Sequence, residues 1–383
     1  MPHPHRKPPR DARPTRRAVT EDLAAGAVAA PGPAHAGPRS GGADRRLLLG
    51  SYTGQDGATG IGVAEYAASG TVSLVGEVPV ENPSYLAPHP SGRTLYAVNE
   101  QEEGGITAVA VRDDGAYEVL GTVPAGGSAP CQVAVHPSGD WLLSAAYGSG
   151  SVAVHAIEHD GALGALTAHV VHDDPPPGPG QQGPHAHQLL PSPDGRHALA
   201  CDLGTDTVYS YAFDETAGTL REVARAALAP GAGPRHLTFH PNGAYAYLAN
   251  ELDDTVAVCA YDAATGTLTP AAPQGTGTTA PSAPSQFVVT GDGAHAYLGN
   301  RGDETLTRYA VEDGGAGLRL LGTVPLDVAF PRHLALSPDG RLLFVGGQHS
   351  DAVQVFDVDE ASGELSPVAD RLDVPSPVFL LPL

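Results

Sequence analysis

Short runs of alternating hydrophobic and polar residues fill the chain from about residue 46 onward, and most end in a cluster of Gly, Pro, Asn or Asp. Runs with this period of two, bounded by such residues, are typical of β-strands. One Gly-containing turn recurs six times, at residues 89–92, 136–139, 192–195, 240–243, 290–293 and 337–340. Its glycines are 47 to 56 residues apart. The pattern therefore predicts an all-β repeat protein.

Each repeat has the same internal order. A short apolar strand that begins near a proline precedes the turn, and an alternating strand follows it, as at residues 94–99. A third strand, as at residues 255–261, and a fourth, as at residues 317–324, come next. The leading prolines are Pro83, Pro130, Pro184, Pro234, Pro284 and Pro331. Four short antiparallel strands are the blade of a β-propeller.

The two ends of the chain supply one more blade. Residues 47–80 contain three strands but lack the innermost one, whereas residues 375–383 form a single apolar strand with a leading proline. Together they complete a seventh blade, which closes the ring and removes an exposed strand edge. We therefore expect a seven-bladed β-propeller at residues 46–383, closed by pairing of the N- and C-terminal strands, and no division into two domains.

Residues 1–45 differ from the rest. They are rich in Pro, Arg, Ala and Gly and have no strand or helix period, which favours a disordered basic leader. Arg16 and Arg17 precede an Ala-rich stretch and an Ala34-His35-Ala36 pattern, which is the outline of a twin-arginine export signal. Glu21 and Asp22 lie where such a signal has apolar residues. We expect a cytoplasmic protein, with export as the alternative.

The charged residues limit the chemistry. The formal net charge is −22, which argues against nucleic acid as a partner, and no apolar run is long enough to span a membrane. Three scattered cysteines suggest neither a disulfide framework nor a zinc cluster. Lys7 is the only lysine, and residues 47–383 contain only 12 arginines. A lysine base or Schiff base is therefore excluded from the propeller, and an anionic ligand must be held by arginine, histidine or backbone N–H groups.

Propeller geometry sorts these residues by the two ends of the central channel. We define the far mouth as the end with the six Gly turns, and the near mouth as the end where the first strand of each blade starts and the second strand ends. The near mouth collects His185, His187, Gln132, Arg235, His236, Gln286, Arg332 and His333 from strand starts, and Glu100, Asn250, Glu251, Arg301, Gln348 and His349 from strand ends. The far mouth has only His89, His136, His240 and surface arginines, for which we expect local hydrogen bonds.

Three arginines at the near mouth indicate an anion site. Arg235, Arg301 and Arg332 converge on one channel of an acidic protein, and arginine binds carboxylate or phosphate with two parallel hydrogen bonds. Arg235 lies beside Glu251 across the hairpin. The alternative is a structural ion-pair network with acids of the same blades. For His236 and His333, capping of backbone groups is an equal alternative.

At these residues the sequence resembles a known family, the seven-bladed propeller lactonases, which comprise bacterial 6-phosphogluconolactonases of the propeller type and fungal carboxy-cis,cis-muconate cyclases. The matching pieces are Gly50-Ser51-Tyr52-Thr53-Gly54, Asn82-Pro83-Ser84-Tyr85-Leu86, Asn99-Glu100, Pro184-His185-Ala186-His187, Gly233-Pro234-Arg235-His236, Asn250-Glu251, Asn300-Arg301 and Pro331-Arg332-His333. The resemblance implies an active site of one His, two Arg and one Glu. Residue by residue, these fall on His187, Arg235, Glu251 and Arg301. The insertion at residues 173–182 departs from the family pattern just before His185.

The resemblance leads to a mechanistic hypothesis, hydrolysis of 6-phospho-D-glucono-1,5-lactone. Glu251 is the candidate base, Arg235 orients it and stabilises the oxyanion, and His187 is either the base instead or the acid. Arg301 and Arg332 would hold the phosphate. Substrate contacts are expected from Arg332, His185, His236, His333, Glu100 and Asn250. No cofactor or metal is expected, and the partner is a small anionic lactone bound by a monomer or weak oligomer.

Two other functions fit the same residues. Cyclisation or opening of a muconate-type dicarboxylate would use two arginines for two carboxylates. A non-enzymatic propeller would only hold an acidic ligand at its mouth.

Overall fold

The structure, a computed structural model, describes residues 45–54, 57–178, 181–368 and 371–383. These residues form seven antiparallel sheets, which we number as blades 1 to 7. Blade 1 contains β1 (Arg45–Ser51), β2 (Ile61–Tyr66), β3 (Val72–Val78) and, from the C-terminus, β30 (Pro377–Pro382). Blade 2 contains β4 (Leu86–Pro88), β5 (Thr94–Asn99), β6 (Gly105–Val111) and β7 (Tyr117–Pro124). Blade 3 contains β8 (Pro130–Val135), β9 (Trp141–Ala146), β10 (Ser151–Ile157) and β11 (Leu163–Val171).

The remaining four blades follow in chain order. Blade 4 contains β12 (Ala186–Pro191), β13 (His197–Asp202), β14 (Thr207–Asp214) and β15 (Thr219–Ala227). Blade 5 contains β16 (Pro234–Phe239), β17 (Tyr245–Asn250), β18 (Thr255–Asp262), β19 (Thr267–Pro270) and β20 (Gln274–Gly275). Blade 6 contains β21 (Pro284–Val289), β22 (His295–Asn300), β23 (Thr305–Glu312), a 3-10 turn (Asp313–Gly315) and β24 (Gly317–Pro325). Blade 7 contains β25 (Pro331–Leu336), β26 (Leu342–Gly347), a 3-10 turn (Gln348–Ser350), β27 (Ala352–Val358), β28 (Leu365–Pro367) and β29 (Leu372–Asp373).

Blade 1 closes the ring as the sequence predicts. The last strand, β30, pairs antiparallel with the first strand, β1, with Leu48 opposite Leu381 and Leu49 opposite Leu380. Leu49 and Leu380 then pack in one apolar cluster with Phe344 of blade 7. The prediction of a seven-bladed propeller closed by both ends of the chain is confirmed, and this closure fixes the positions of the near-mouth residues of blades 7, 1 and 2.

Burial follows the order of strands from the channel outward. Every residue of β5 is buried, because neighbouring blades cover both of its faces, whereas the outer strand β7 is mostly exposed. The apolar clusters lie between adjacent blades, and the largest joins blades 1, 2 and 3. Inner strands held on both sides form a rigid channel wall, and so the side chains at its mouths have fixed positions.

Histidines at the far mouth join one blade to the next. The Nδ1 atom of His136 lies 2.9 Å from the Ser138 hydroxyl, and its Nε2 lies 2.8 Å from the carbonyl oxygen of Gly195 in the following blade. His89 repeats both contacts, at 2.7 Å with Ser91 and 2.9 Å with Gly139. The expected local hydrogen bonds are present. A second hydrogen bond from each histidine reaches the turn of the next blade and so links neighbouring blades of the ring.

The leader and its export pattern at residues 1–44 lie outside the described residues. The domain boundary at residue 46 and the cellular location therefore stay predictions. Within the described residues, no helix has the length and apolar character needed to cross a membrane.

Candidate active site

A register shift near the start of the inner strand, present in every blade except blade 2, sets the direction of near-mouth side chains. In β16 the register shifts between Pro234 and His236, which leaves Arg235 out of the ladder. The same shift leaves out His187 in β12 and Arg332 in β25. A bulge re-aims the extra residue, and here the side chains of Arg235 and Arg332 both contact the next blade. The fold thus contributes such positions to the near mouth from six of the seven blades.

Backbone strain accompanies these bulges. The residue directly before the leading proline has a positive φ in six blades: Asn82, Ala129, Gly233, Ala283, Phe330 and Ser376. Positive φ is unfavourable for a non-glycine residue and needs support from the surrounding structure. Because the strain recurs in blades with and without charged residues at the mouth, it belongs to the way the blades begin and is not specific to the site.

The register separates the two predicted histidines at the start of blade 4. Blade 4 begins its ladder at Ala186, and so the residue equivalent to Arg235 is His187, while His185 lies in the preceding loop. The Nδ1 atom of His185 lies 2.9 Å from the carbonyl oxygen of Tyr147, and the two rings stack with centroids 4.3 Å apart. The two predicted histidines therefore occupy different places. His187 is fully buried in the wall, and His185 is half-buried at the rim.

Glu251 is the centre of the first group of charges. Its Oε2 lies 2.9 Å from Nε of Arg235 and also accepts a hydrogen bond from Nη2 of Arg301. All three side chains are fully buried. Backbone carbonyls hold the two arginines, since Arg235 donates to Ser285 and Arg301 donates to Ala283, both at 2.9 Å. The structure therefore brings the predicted Arg235, Glu251 and Arg301 together in one network.

Glu100 is the centre of a second group, formed by blades 7, 1 and 2. Its Oε2 accepts hydrogen bonds from the hydroxyls of Tyr52, at 3.0 Å, and Ser84, at 2.5 Å. The Tyr52 hydroxyl in turn accepts a bond of 2.9 Å from Nη2 of Arg332, whose Nη1 donates to Gln348 at 3.1 Å. Two of the predicted residues, Glu100 and Arg332, are therefore linked through a tyrosine.

His187 lies between neighbouring rings. Its ring centroid is 5.9 Å from that of Tyr147 and 5.5 Å from that of His236. Neither of its ring nitrogens has a hydrogen-bond partner among the described residues. Burial lowers the pKa of the His187 imidazole well below its usual range, and the positive charge of Arg235 lowers it further. His187 is therefore a neutral, buried imidazole at neutral pH.

Burial and like charges also affect the other ionisable groups. Burial, reinforced by the nearby Arg301, lowers the pKa of Arg235 to about 9. Burial raises the pKa of Glu100, against the opposing effect of Arg332. Three guanidinium groups face two carboxylates, which leaves an excess of positive charge in a buried place. Such a place favours a bound anion or a developing negative charge.

Two predicted substrate contacts, His333 and Asn250, make hydrogen bonds within the wall of the propeller. Nδ1 of His333 accepts a hydrogen bond of 3.2 Å from the backbone N–H of Leu380 in the next blade, and its ring packs on Phe379. Burial lowers the pKa of His236, which lies at the same position in blade 5. The Asn250 side chain donates to Thr255 at 2.9 Å within blade 5. These contacts match the capping role for His333. They also show that Asn250, the last residue of β17, bonds across the turn to the first residue of β18.

The insertion before His185 is fixed to blade 4. Asp174 accepts a hydrogen bond of 2.6 Å from Tyr209, and Gln181 donates to the carbonyl of Leu203 at 2.8 Å. Asp202 accepts the backbone N–H of His185 at 2.8 Å. The insertion therefore positions His185 at the rim, although residues 179 and 180 lie outside the described chain.

Sequence reasoning missed two polar contacts at the mouth. Tyr52 and Ser84 lie in pieces that carry the family resemblance, but neither was assigned a role. Tyr52 follows β1, which becomes a second strand only when β30 completes blade 1. Tyr52 directly follows β1, just as Glu251 directly follows β17 in blade 5, and this equivalent position is the sequence signal that could have identified Tyr52.

Within the described parts of the chain, no three His, Cys, Asp or Glu side chains are grouped as ligands of one metal ion.

Comparison with known proteins agrees with this architecture. The family model described as lactonase, seven-bladed β-propeller matches residues 46–382. The chain belongs to this family. The 6-phosphogluconolactonase of Bacillus subtilis is 30% identical over 304 residues, which cover 78% of this chain and 86% of that protein. The periplasmic gluconolactonase of Pseudomonas aeruginosa superimposes with a TM-score of 0.83 at 29% identity, over 89% of this chain and 99% of that one. The lactonase family and its fold are thus established for this chain.

Proposed function

We propose that this lactonase hydrolyses 6-phospho-D-glucono-1,5-lactone to 6-phosphogluconate. The observation that carries the proposal is a set of buried polar atoms at the near mouth. Oε1 of Glu251, Nη1 of Arg301 and both ring nitrogens of His187 have no hydrogen-bond partner among the described residues. Buried polar atoms are normally paired, and an unpaired cluster needs an explanation. A polar ligand that supplies the missing partners provides one.

The charges support an ester substrate that becomes negative during the reaction. Attack of water on the lactone carbonyl produces an oxyanion, which the guanidinium groups of Arg235 and Arg301 stabilise in a site with little water. Glu251 already binds both groups through Oε2. Its Oε1 is left to accept the proton of the attacking water, and the neutral His187 orients that water.

The phosphate belongs on the Arg332 side of the mouth. Arg332 lies in blade 7, whereas Arg235 and Glu251 both lie in blade 5. Arg301 donates to Glu251 and to the backbone, so only its Nη1 remains for a ligand. We therefore assign the main phosphate contact to Arg332, with Gln348 holding its guanidinium in place.

A dicarboxylate is the second candidate ligand, because Arg332 comes from blade 7 and the Arg235–Arg301 pair from blades 5 and 6, which provides an arginine for each carboxylate. An assay of freshly prepared 6-phosphogluconolactone and of unphosphorylated gluconolactone, corrected for spontaneous opening, separates the candidates. The proposal expects a kcat/KM at least about tenfold higher with the phosphate, because a hydrogen bond to a charged group contributes about 1.5–3 kcal/mol. Equal rates on both lactones would contradict the phosphate contact. No hydrolysis of either lactone would leave the dicarboxylate or simple binding.

A further inference from the structure

One step of the proposed reaction has no assigned residue. When the tetrahedral intermediate collapses, the ring oxygen leaves as an alkoxide, which needs a proton. His187 is neutral at the pH of the reaction and buried, so it has no proton to give as an imidazolium. The arginines act as cations and not as acids at neutral pH.

We propose that Glu100 is the proton donor to the leaving ring oxygen of the lactone. This inference rests on the proposed function, since it assigns a residue to one step of that reaction. Glu100 lies at the end of β5 in blade 2, while Glu251 lies at the equivalent place in blade 5. The two carboxyl groups therefore occupy separate sectors of the same mouth, where one can act on the attacking water and the other on the leaving group.

The hydrogen bonds of Glu100 fix the carboxyl in one orientation. Tyr52 and Ser84 both donate to Oε2. Neither hydroxyl donates to Oε1, and the side chain is half-buried. In the proposed acid the proton is carried on Oε1, because Oε2 accepts both hydrogen bonds. Tyr52 and Ser84 are positioning residues, because they act through Glu100.

The charges around Glu100 suit an acid that is used once in each turnover. The groups that act on the carboxyl are Tyr52, Ser84, Arg235, Arg332 and the thiol of Cys131. Burial favours the protonated form before the step. Arg332 and Arg235 then stabilise the carboxylate that remains after the proton has left, and the half-exposed side chain regains a proton from solvent.

The step is balanced in atoms and charge. The bond between the carbonyl carbon and the ring oxygen breaks, and its electron pair goes to the oxygen. The proton of Glu100 Oε1 moves to that oxygen and forms the hydroxyl of the open acid, while the oxyanion re-forms the carbonyl. The proton that Glu251 took from water passes to solvent, and a proton from solvent restores Glu100. The carboxylic acid formed from the lactone then ionises and releases one proton. The sum is one lactone and one water consumed, and one aldonate and one proton produced.

The test is the pH dependence of lactone hydrolysis by the full chain and its Glu100→Gln variant. An acid that must be protonated gives the wild type an alkaline limb, in which kcat falls as the pH rises. The variant is expected to lose about 10²-fold in kcat, the lower range for general acid catalysis, and to lose this limb, with KM nearly unchanged. Glu103→Gln, an exposed change just after the same strand, is the matched control.

Contradicting results are equally clear. A Glu100→Gln enzyme with normal kcat and a raised KM would show that Glu100 only contacts the substrate and does not donate the proton. A slow variant that retains the alkaline limb, or a wild type without any such limb, would also overturn the proton donor. If the wild type hydrolyses no lactone, the proposed function itself fails, which is a different result from a wild-type lactonase with an unaffected Glu100 variant.

Ser84→Ala tests the same role and retains the carboxyl. The Ser84 hydrogen bond lowers the pKa of Glu100 because it stabilises the charged form. Its removal raises that pKa, so the alkaline limb should move to higher pH. A limb that stays in place or moves to lower pH would contradict the assignment, and the shift does not depend on how Glu100→Gln folds.

Discussion

The two mouths of the channel belong to the same repeated blades and both contain histidines, yet the contacts of these histidines differ. At the far mouth, both ring nitrogens of His136 have partners, one in its own turn and one in the next blade. At the near mouth, neither nitrogen of His187 has a partner among the described residues. A paired polar group contributes to the structure, and an unpaired buried one has its hydrogen-bonding capacity left for a ligand. The contrast distinguishes a structural end from a candidate catalytic end.

Glu251→Gln, a change at the near mouth, should lower catalytic efficiency more than any other change considered. Loss of the proposed base is expected to lower kcat/KM for the lactone roughly 10³-fold. The matched change at the far mouth, Asp292→Gln, should leave the rate unchanged, because Asp292 accepts hydrogen bonds from Thr290 and from the backbone N–H of Ala294, both in its own turn. Steady-state kinetics of both variants test the comparison, and an active Glu251→Gln enzyme would remove Glu251 as base.

Arg332→Met should affect the preference for phosphate more than the reaction itself. We expect kcat/KM for the phosphorylated lactone to fall about 30-fold, from loss of a charged hydrogen bond, and the ratio to the unphosphorylated lactone to fall with it. Arg341→Met, an exposed change at the far mouth, is the control. An unchanged ratio would move the phosphate away from Arg332.

The pH dependence of stability should distinguish His187 from an exposed histidine. Because the folded pKa of His187 is lowered, the unfolded chain binds a proton that the native chain does not, so stability is complete above pH 6.5 and falls below it. His187→Gln should reduce the loss in unfolding free energy between pH 7 and pH 5 by about 2 kcal/mol. Urea unfolding at both pH values measures this, with His159→Gln as control. An equal loss in both variants would contradict a neutral His187.

His136→Ala should give the smallest effect, and only on stability. It removes a side chain that bonds to the next blade, at a cost of about 1–2 kcal/mol in unfolding free energy, and leaves kcat/KM unchanged. A fall in activity without a fall in stability would show that the far mouth contributes to the reaction.

The repeats and the ring closure were predictable because both depend on local patterns, such as the recurring Gly turn and the proline before β30. The grouping of Arg235, Glu251 and Arg301 was also predictable, since hairpin geometry brings strand starts and strand ends together. The register of β12 was not, because a bulge depends on backbone pairing, and this register is what places His187 and not His185 at the position equivalent to Arg235. The link from Arg332 through Tyr52 to Glu100 spans three blades and follows only from the closed ring.

A crystal structure with the product 6-phosphogluconate tests the central claim most directly. The account predicts the carboxylate of the product at Nη1 of Arg301 and near His187, and the phosphate at Arg332. A product bound at the far mouth, or at the near mouth with Glu251, Arg301 and His187 still without new hydrogen bonds, would contradict it.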